Sequence, residues 1–173
     1  KSPRYAPPER IREIVANLPP FVTTVGVFVN EPAEQVNTLA QQCGLYAAQL
    51  HGDESPGFCE QIERTVIKVF RVKDATWRDA AAPYRVHALL LDTYVPDRYG
   101  GTGKTFDWNL ILHTQHRLIL SGGLNPENVQ DAIRHVHPYG VDTSSGVEAE
   151  PGKKDHDKVK SFIQAVKQAD LNV

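Results

Sequence analysis

The sequence predicts an α/β fold whose parallel strands and helices form a (β/α)8 barrel, and three observations carry that expectation. Six apolar runs alternate with amphipathic stretches at intervals of roughly 20–30 residues, the pattern of repeated strand–helix units. The run Ala88-Leu89-Leu90-Leu91 is apolar without alternation, as in a strand covered on both faces by helices. Every run also ends on a polar group: Asn30, His51, Arg71, Asp92, Ser121 and Asp142. An open doubly wound sheet would gather such groups near one switch point, whereas a barrel turns every strand exit toward one central site. Six strands are two short of a closed barrel, and one further βαβ unit of about 30 residues would supply both.

In chain order, residues 1–5 read as a loop. Pro7-Pro8-Glu9 opens a helix with Ile11, Ile14, Val15 and Leu18 at helical spacing, ended by Pro19-Pro20. Phe21 to Val29 reads as a strand, with Asn30 as the cap of a helix that puts Val36, Leu39 and Ala40 on one face and ends near Gly44. Tyr46 to Leu50 is the next strand, His51-Gly52-Asp53 a turn, and Ser55-Pro56 the start of a helix through Arg64. Val66 to Val72 is a strand, followed by a short helix around Trp77 to Ala81. After Ala88 to Asp92 comes a glycine-rich loop, then Phe106-Asp107-Trp108 leading a helix to about His113. His116 to Leu120 is a strand, and Asn125-Pro126-Glu127 the capped start of a helix with Val129, Ile133 and Val136. Tyr139 to Thr143 is the last strand. The tail from Asp155 to Ala169 is a helix with Val159, Phe162, Ile163 and Val166 inward.

At 173 residues, 40% hydrophobic and 23% charged, the chain reads as one barrel domain over residues 1–173. A formal charge of −2 gives no basic field for nucleic acid. No run is long and apolar enough for a membrane span and no leader is visible, so a soluble, cytoplasmic protein is expected. Cys43 and Cys59 show no CxxC spacing and fall on predicted helices, which points to packing rather than to a metal or a disulfide. The sequence begins at Lys1 and holds no Met, so the domain is expected to be incomplete at its N-terminus.

Two late turns suggest an anion site. Ser121-Gly122-Gly123 follows one strand and Asp142-Thr143-Ser144-Ser145-Gly146 the next. In barrels the loops after the last two strands cradle phosphate through backbone N–H groups that small residues leave accessible. Gly103-Lys104-Thr105 resembles the end of a P-loop, but Arg98 stands where that motif needs glycine, so nucleotide binding is not expected. The loop from Tyr94 to Thr105 reads as a cover over the site or an ordinary connection. Asp92, at the exit of the buried strand, is a general acid, a helix cap or an ion-pair partner. His51 is a site residue or a hydrogen-bonded turn residue, and Gln49 shares its strand face. Lys68 is a buried amine or, more in keeping with its length, a lysine reaching toward the barrel's end. Arg4, in a rigid loop, is suited to bidentate capture of a carboxylate or is simply solvated.

Taken together, these motifs resemble the phosphoribosylanthranilate isomerase family. The resemblance rests on Ser2-Pro3-Arg4-Tyr5, Val25-Gly26-Val27-Phe28-Val29-Asn30, Gln49-Leu50-His51-Gly52, Leu90-Leu91-Asp92-Thr93, and Gly100-Gly101-Thr102-Gly103 with Phe106-Asp107-Trp108. It continues through Ser121 to Val129 and Ser144-Ser145-Gly146-Val147-Glu148 with Gly152 and Lys154-Asp155. It implies a TIM barrel performing an Amadori rearrangement in tryptophan biosynthesis, without cofactor or metal, on a small phosphosugar. N-(5-phosphoribosyl)anthranilate becomes 1-(2-carboxyphenylamino)-1-deoxyribulose 5-phosphate. The resemblance makes Asp92 the general acid, which must carry a proton when substrate is bound. Arg4 would hold the anthranilate carboxylate, Gly122, Gly123, Ser144, Ser145 and Gly146 the phosphate, and Gln49, His51 and Asp142 would line the pocket.

One departure stands out. The family's general base is a cysteine in a first-strand Lys-Ile-Cys-Gly motif, which does not occur in these 173 residues. The polypeptide alone is therefore expected to be inactive. Two other readings remain open: a related phosphosugar enzyme such as indoleglycerol-phosphate synthase, or a non-catalytic piece that associates through open sheet edges, with a homodimer or the absent segment as partner.

Overall fold

The computed structural model describes residues 2–96, 103, 105–111 and 116–171. Helix α1 (Pro8–Ala16), with proline in its first turn, leads to strand β1 (Val25–Phe28) and helix α2 (Ala33–Gln42). Strand β2 (Ala47–Leu50), the short helix α3 (Pro56–Cys59), strand β3 (Thr65–Val72), helix α4 (Trp77–Ala81) and strand β4 (Ala88–Thr93) follow. Strand β5 (Leu118–Leu120), helix α5 (Val129–Val136) and strand β6 (Gly140–Val141) come next. A hairpin of β7 (Glu148–Glu150) and β8 (Lys153–Lys154) precedes helix α6 (His156–Asp170). Strands β1 to β6 form one parallel sheet in sequence order, and among the described residues β1 and β6 each pair on one side only.

Strand alternation divides the side chains. Leu50, Lys68, Leu89 and Leu118 occupy one row across β2 to β5, and this face carries the leucines and valines that pack on the helices. Val36 and Ala40 of α2 cover Phe28, Ala48, Leu50 and Val66; Trp77 and Ala81 of α4 cover Val72, Leu89 and Leu91. Leu120 and Leu124 are covered by Val129, Ala132 and Ile133 of α5 and Phe162 and Ala165 of α6. Each such leucine contributes about 1.5–3 kcal/mol on burial, so this face holds the fold. Gln49, Ile67, Val69, Leu90, Asp92 and Ile119 point the other way. The ladder also runs one residue past three strands: the N–H groups of His51, Ser121 and Asp142 donate to Phe28, Leu91 and Leu120 at 2.8 Å. Strand geometry thus fixes the backbone of each strand-exit residue.

Several expectations need correction. The first strand is shorter than 21–29, because Phe21 adopts a left-handed φ of +69° and is fully exposed. Asn30 caps no helix: with φ +54° it turns its Oδ1 to accept the Asp53 N–H at 2.7 Å. The helix expected from Ser55 to Arg64 stops at Cys59, its start held by the Ser55 Oγ accepting from the Phe58 N–H. Trp108–Leu110 is a single 3-10 turn; residues 112–115 lie outside the described residues. Helix α5 starts at Val129, because Asn125 Oδ1 accepts from the N–H groups of Glu127 and Asn128 and holds that stretch as a turn. Ile163 faces solvent at 47% exposure, while Phe162, Ala165 and Ala169 are the buried positions of α6. Cys43 and Cys59 are both buried and free.

Lys68 does not reach for solvent. Its Nζ donates to Leu50 O, Gly52 O and Glu54 Oε2 at 3.3, 2.7 and 2.9 Å, and the two side chains are 3% and 2% exposed. Glu54 in turn accepts the N–H groups of Asn30 and Gly52. A buried ion pair is expensive to desolvate and is retained only where hydrogen bonds use every charge. Here it secures the backbone at the exits of β1 and β2, directly beside His51.

Candidate active site

Asp92 ends β4 with 5% exposure. Its Oδ1 accepts the Thr93 N–H at 2.7 Å, and its Oδ2 lies 3.2 Å from His51 Nε2. The approach of those last two atoms is off line for a hydrogen bond, so Nε2 is buried without a hydrogen-bond partner among the described residues. Gln49 Nε2 lies 3.4 Å from His51 Nδ1. With the amide as donor, Nδ1 is the acceptor and Nε2 carries the proton toward Asp92. Gly122, at φ +87°, is required on the other flank: a Cβ there would strike Thr93 Oγ1 and stand 3.1 Å from Asp92 Oδ1.

Asp142 joins this cluster at the next exit but one. Its Oδ2 accepts the Ser121 hydroxyl at 2.8 Å. Burial pushes its pKa above the usual carboxylate range and the neighbouring Asp92 adds to the rise, while the Ser121 hydrogen bond opposes it. Gln49, His51, Asp92 and Asp142 therefore meet at one end of the sheet, as the strand-exit pattern implies. Ser121 is a member that sequence reasoning placed at an exit without assigning it a role.

The two late turns also meet. Thr143 Oγ1 donates to Leu124 O at 2.6 Å, and a Cβ at Gly146 would run into that same carbonyl. Between the turns lies a cavity of about 370 Å³ bordered by Gly103, Gly123, Asn125, Ser145, Gly146 and Lys158. Of the five residues expected at phosphate, Gly123, Ser145 and Gly146 line it. Gly122 turns to Asp92, and Ser144 offers its carbonyl to Lys154 Nζ at 2.8 Å. Of the loop from Tyr94 to Thr105, expected as a cover or a connection, residues 94–96, 103 and 105 are described and residues 97–102 and 104 lie outside the described residues.

Arg4 does capture a carboxylate, but the carboxylate is Glu148. Its Nε and Nη2 donate to Oε1 and Oε2 at 2.8 and 2.6 Å. The Arg4 hydrogen bonds hold the Glu148 carboxyl down at about 2, with burial opposing and Lys154 and the Gly152 N–H assisting. Glu148, Lys154, Lys158 and Glu54 were not singled out as site residues. The one available signal was Glu148 and Lys154 flanking a Pro-Gly turn after an exit loop. Among the described residues no group of three or more His, Cys, Asp or Glu is placed to hold a metal ion, and no helix is long and apolar enough to cross a membrane.

Residues 1–165 match the family model of N-(5'-phosphoribosyl)anthranilate isomerase. The isomerase of Trichlorobacter lovleyi is 51% identical over 172 residues, which cover 98% of this chain and 84% of that protein. The crystal structure of the Thermotoga maritima isomerase superposes with a TM-score of 0.90 at 49% identity, over 97% of this chain and 84% of that one. A further isomerase structure, solved in complex with reduced 1-(o-carboxyphenylamino)-1-deoxyribulose 5-phosphate, gives 0.85 at 46% identity, over 97% and 83%. The six parallel strands are thus those of a TIM-barrel-like α/β fold.

Proposed function

The chain belongs to the phosphoribosylanthranilate isomerase family, and from that premise we propose how its residues carry the isomerisation of N-(5-phosphoribosyl)anthranilate. The supporting observation is the placement of Asp92, a nearly dry carboxyl at a strand exit, flanked by His51 and by the glycine turn that leads into the cavity. Asp92 gives its proton to the furanose ring oxygen as the C1–O bond breaks, and the anilino nitrogen lone pair forms the C1=N bond. His51 Nε2–H then faces the carboxylate that remains and stabilises it. Removal of the C2 proton by the family's cysteine base leaves an enolamine that ketonises to the aminodeoxyribulose product.

At the two ends of the substrate, Arg4 takes the aryl carboxylate. The backbone of Gly123, Ser145 and Gly146 takes the phosphate, with Lys158 at its edge; Gly122 gives the close approach to Asp92. Gln49 and Asp142 line the space between. The synthase alternative finds no support here: Lys68, the strand lysine it could use, lies in the helix-facing row and is bound to Glu54.

The test is titration of the reduced carboxyphenylamino-deoxyribulose phosphate into the 173-residue protein by calorimetry. Saturable one-to-one binding, displaced by excess inorganic phosphate and weakened in Arg4→Met, is expected. No binding, or binding indifferent to both, would reject the reading.

A homodimer is the proposed assembly. Phe21 and Val22 are 105% and 49% exposed beside a groove of about 360 Å³ lined by Val15, Leu18, Pro19 and Tyr46, at the far end of β1 from Asp92. The Thermotoga maritima isomerase is dimeric. Phe21→Ser should halve the mass seen by sedimentation; an unchanged mass would place association elsewhere, such as the edges of the sheet.

A further inference from the structure

The side-on grip of Glu148 on Arg4 raises a question that the family reading leaves open. An arginine already holding one carboxylate must still accept a second. We propose that Glu148 is a positioning residue: it fixes the Arg4 guanidinium for the ligand's aryl carboxylate and ties that arginine to the phosphate turn. The proposal rests on the substrate reading above.

A guanidinium presents its donors in one plane. Glu148 takes the Nε edge and one Nη2 hydrogen, while Nη1 has no hydrogen bond among the described residues. The terminal fork of Nη1 and Nη2 therefore remains open to a second bidentate carboxylate. Charge balance permits it: Glu148 Oε1 also accepts Lys154 Nζ at 3.1 Å, so two cations surround one buried anion and the group stays positive. A flexible arginine in a loop would otherwise lose rotamer freedom when the ligand arrives; fixing it beforehand removes that cost from binding.

The same carboxylate reaches the other end of the pocket. Lys154 Nζ bridges Glu148 and Ser144 O, the start of the phosphate turn. Lys158 borders the cavity and donates to Glu148 O at 3.1 Å. The loop that carries Arg4 is seated directly on the hairpin: the Gly152 N–H donates to Glu148 Oε1, and a Cβ at Gly152 (φ +87°) would stand 3.1 Å from Pro3 O. The chain Arg4–Glu148–Lys154–Ser144 thus anchors the guanidinium at a fixed place relative to the phosphate turn.

The experiment compares two ligands on wild type, Glu148→Gln, Arg4→Met and the double variant by calorimetry at neutral pH. One ligand is the reduced carboxyphenylamino-deoxyribulose phosphate, and the other is its phenylamino analogue without the carboxylate. Glu148→Gln should weaken the first by about tenfold or more and the second by less than about twofold, and should have no further effect once Arg4 is Met. If it weakens both ligands equally, or neither, or adds fully to Arg4→Met, Glu148 merely docks the loop and the proposal is overturned. If the wild type binds neither ligand, or Arg4→Met is silent, the substrate reading fails and takes this proposal with it. Circular dichroism accompanies each variant. Should Glu148→Gln lose its fold, Glu148→Asp, which keeps the charge but shortens the reach, must show the same split between ligands; equal weakening of both there overturns the proposal.

Discussion

Asp142 and Glu148 flank the same turn and meet opposite fates. Burial raises the Asp142 carboxyl and the nearby Asp92 adds to the rise, while the Ser121 hydroxyl opposes it. Glu148 is enclosed more tightly, with a side chain only 5% exposed, yet its carboxyl is held near 2 because Arg4 and Lys154 surround it. Burial pushes both carboxyls up, and the outcome reverses only where cations hydrogen-bond the carboxylate, as Arg4 and Lys154 do at Glu148. The consequence is a division of labour along one rim. Among the described residues, the strand exits keep carboxyls with no Lys or Arg in an ion pair, suited to moving protons, while the hairpin after β6 keeps a permanently charged one, suited to holding other groups still.

A third carboxylate sharpens the contrast. Glu54 is as dry as its lysine partner, so Lys68→Met leaves an uncompensated charge and should cost about 3–5 kcal/mol in denaturant unfolding. The double change Lys68→Met with Glu54→Met should recover only part of that. The N–H groups of Asn30 and Gly52 would still lack acceptors. Full recovery would mean that the pair serves the backbone less than its geometry says.

Glu148→Gln should cost less, about 1–2 kcal/mol, because Arg4 is 30% exposed and can turn to water. Its pH dependence is the sharper readout. A carboxyl depressed in the fold stabilises it above the unfolded value, and this contribution disappears as pH falls from about 4.5 toward 2. Unfolding midpoints measured across that window should fall steeply for the wild type and more gently for Glu148→Gln; parallel curves would contradict the ion-pair assignment. Asp142 has the opposite sign. Raised in the fold, it favours the folded state at low pH, and that contribution is lost as pH rises above 3.8 through the raised folded value. Asp142→Asn should therefore leave the melting temperature at pH 7 unchanged or slightly higher. A clear drop would show that the charged form is the stabilising one.

How much of this was legible in the sequence follows from which interactions are local. The strand exits were readable because apolar runs with period-two geometry fix both where a strand ends and which way its last side chain points; Gln49, His51 and Asp92 follow from that rule. The partners of Lys68 and Arg4 were not. Lys68 looked like a side chain reaching for water because its partner Glu54 lies on a loop across two strand exits. Arg4 looked like a free carboxylate receptor because Glu148 is 144 positions away in sequence. Helix starts differ from the sequence expectation where an asparagine side chain closes a turn instead of capping a helix, as at Asn30 and Asn125.

The proposed role of Asp92 is that of the acid that opens the sugar ring. The direct measurement is turnover of phosphoribosylanthranilate by Asp92→Asn, with the 173 residues fused behind a strand–helix–strand segment bearing the family's Lys-Ile-Cys-Gly motif. Asparagine keeps the shape and the contact with the Thr93 N–H but has no acidic proton to give. Loss of roughly 10²–10⁴-fold in kcat with affinity for the reduced product analogue retained is the predicted result. A rate within about tenfold of the unsubstituted fusion would contradict it and move the acid elsewhere.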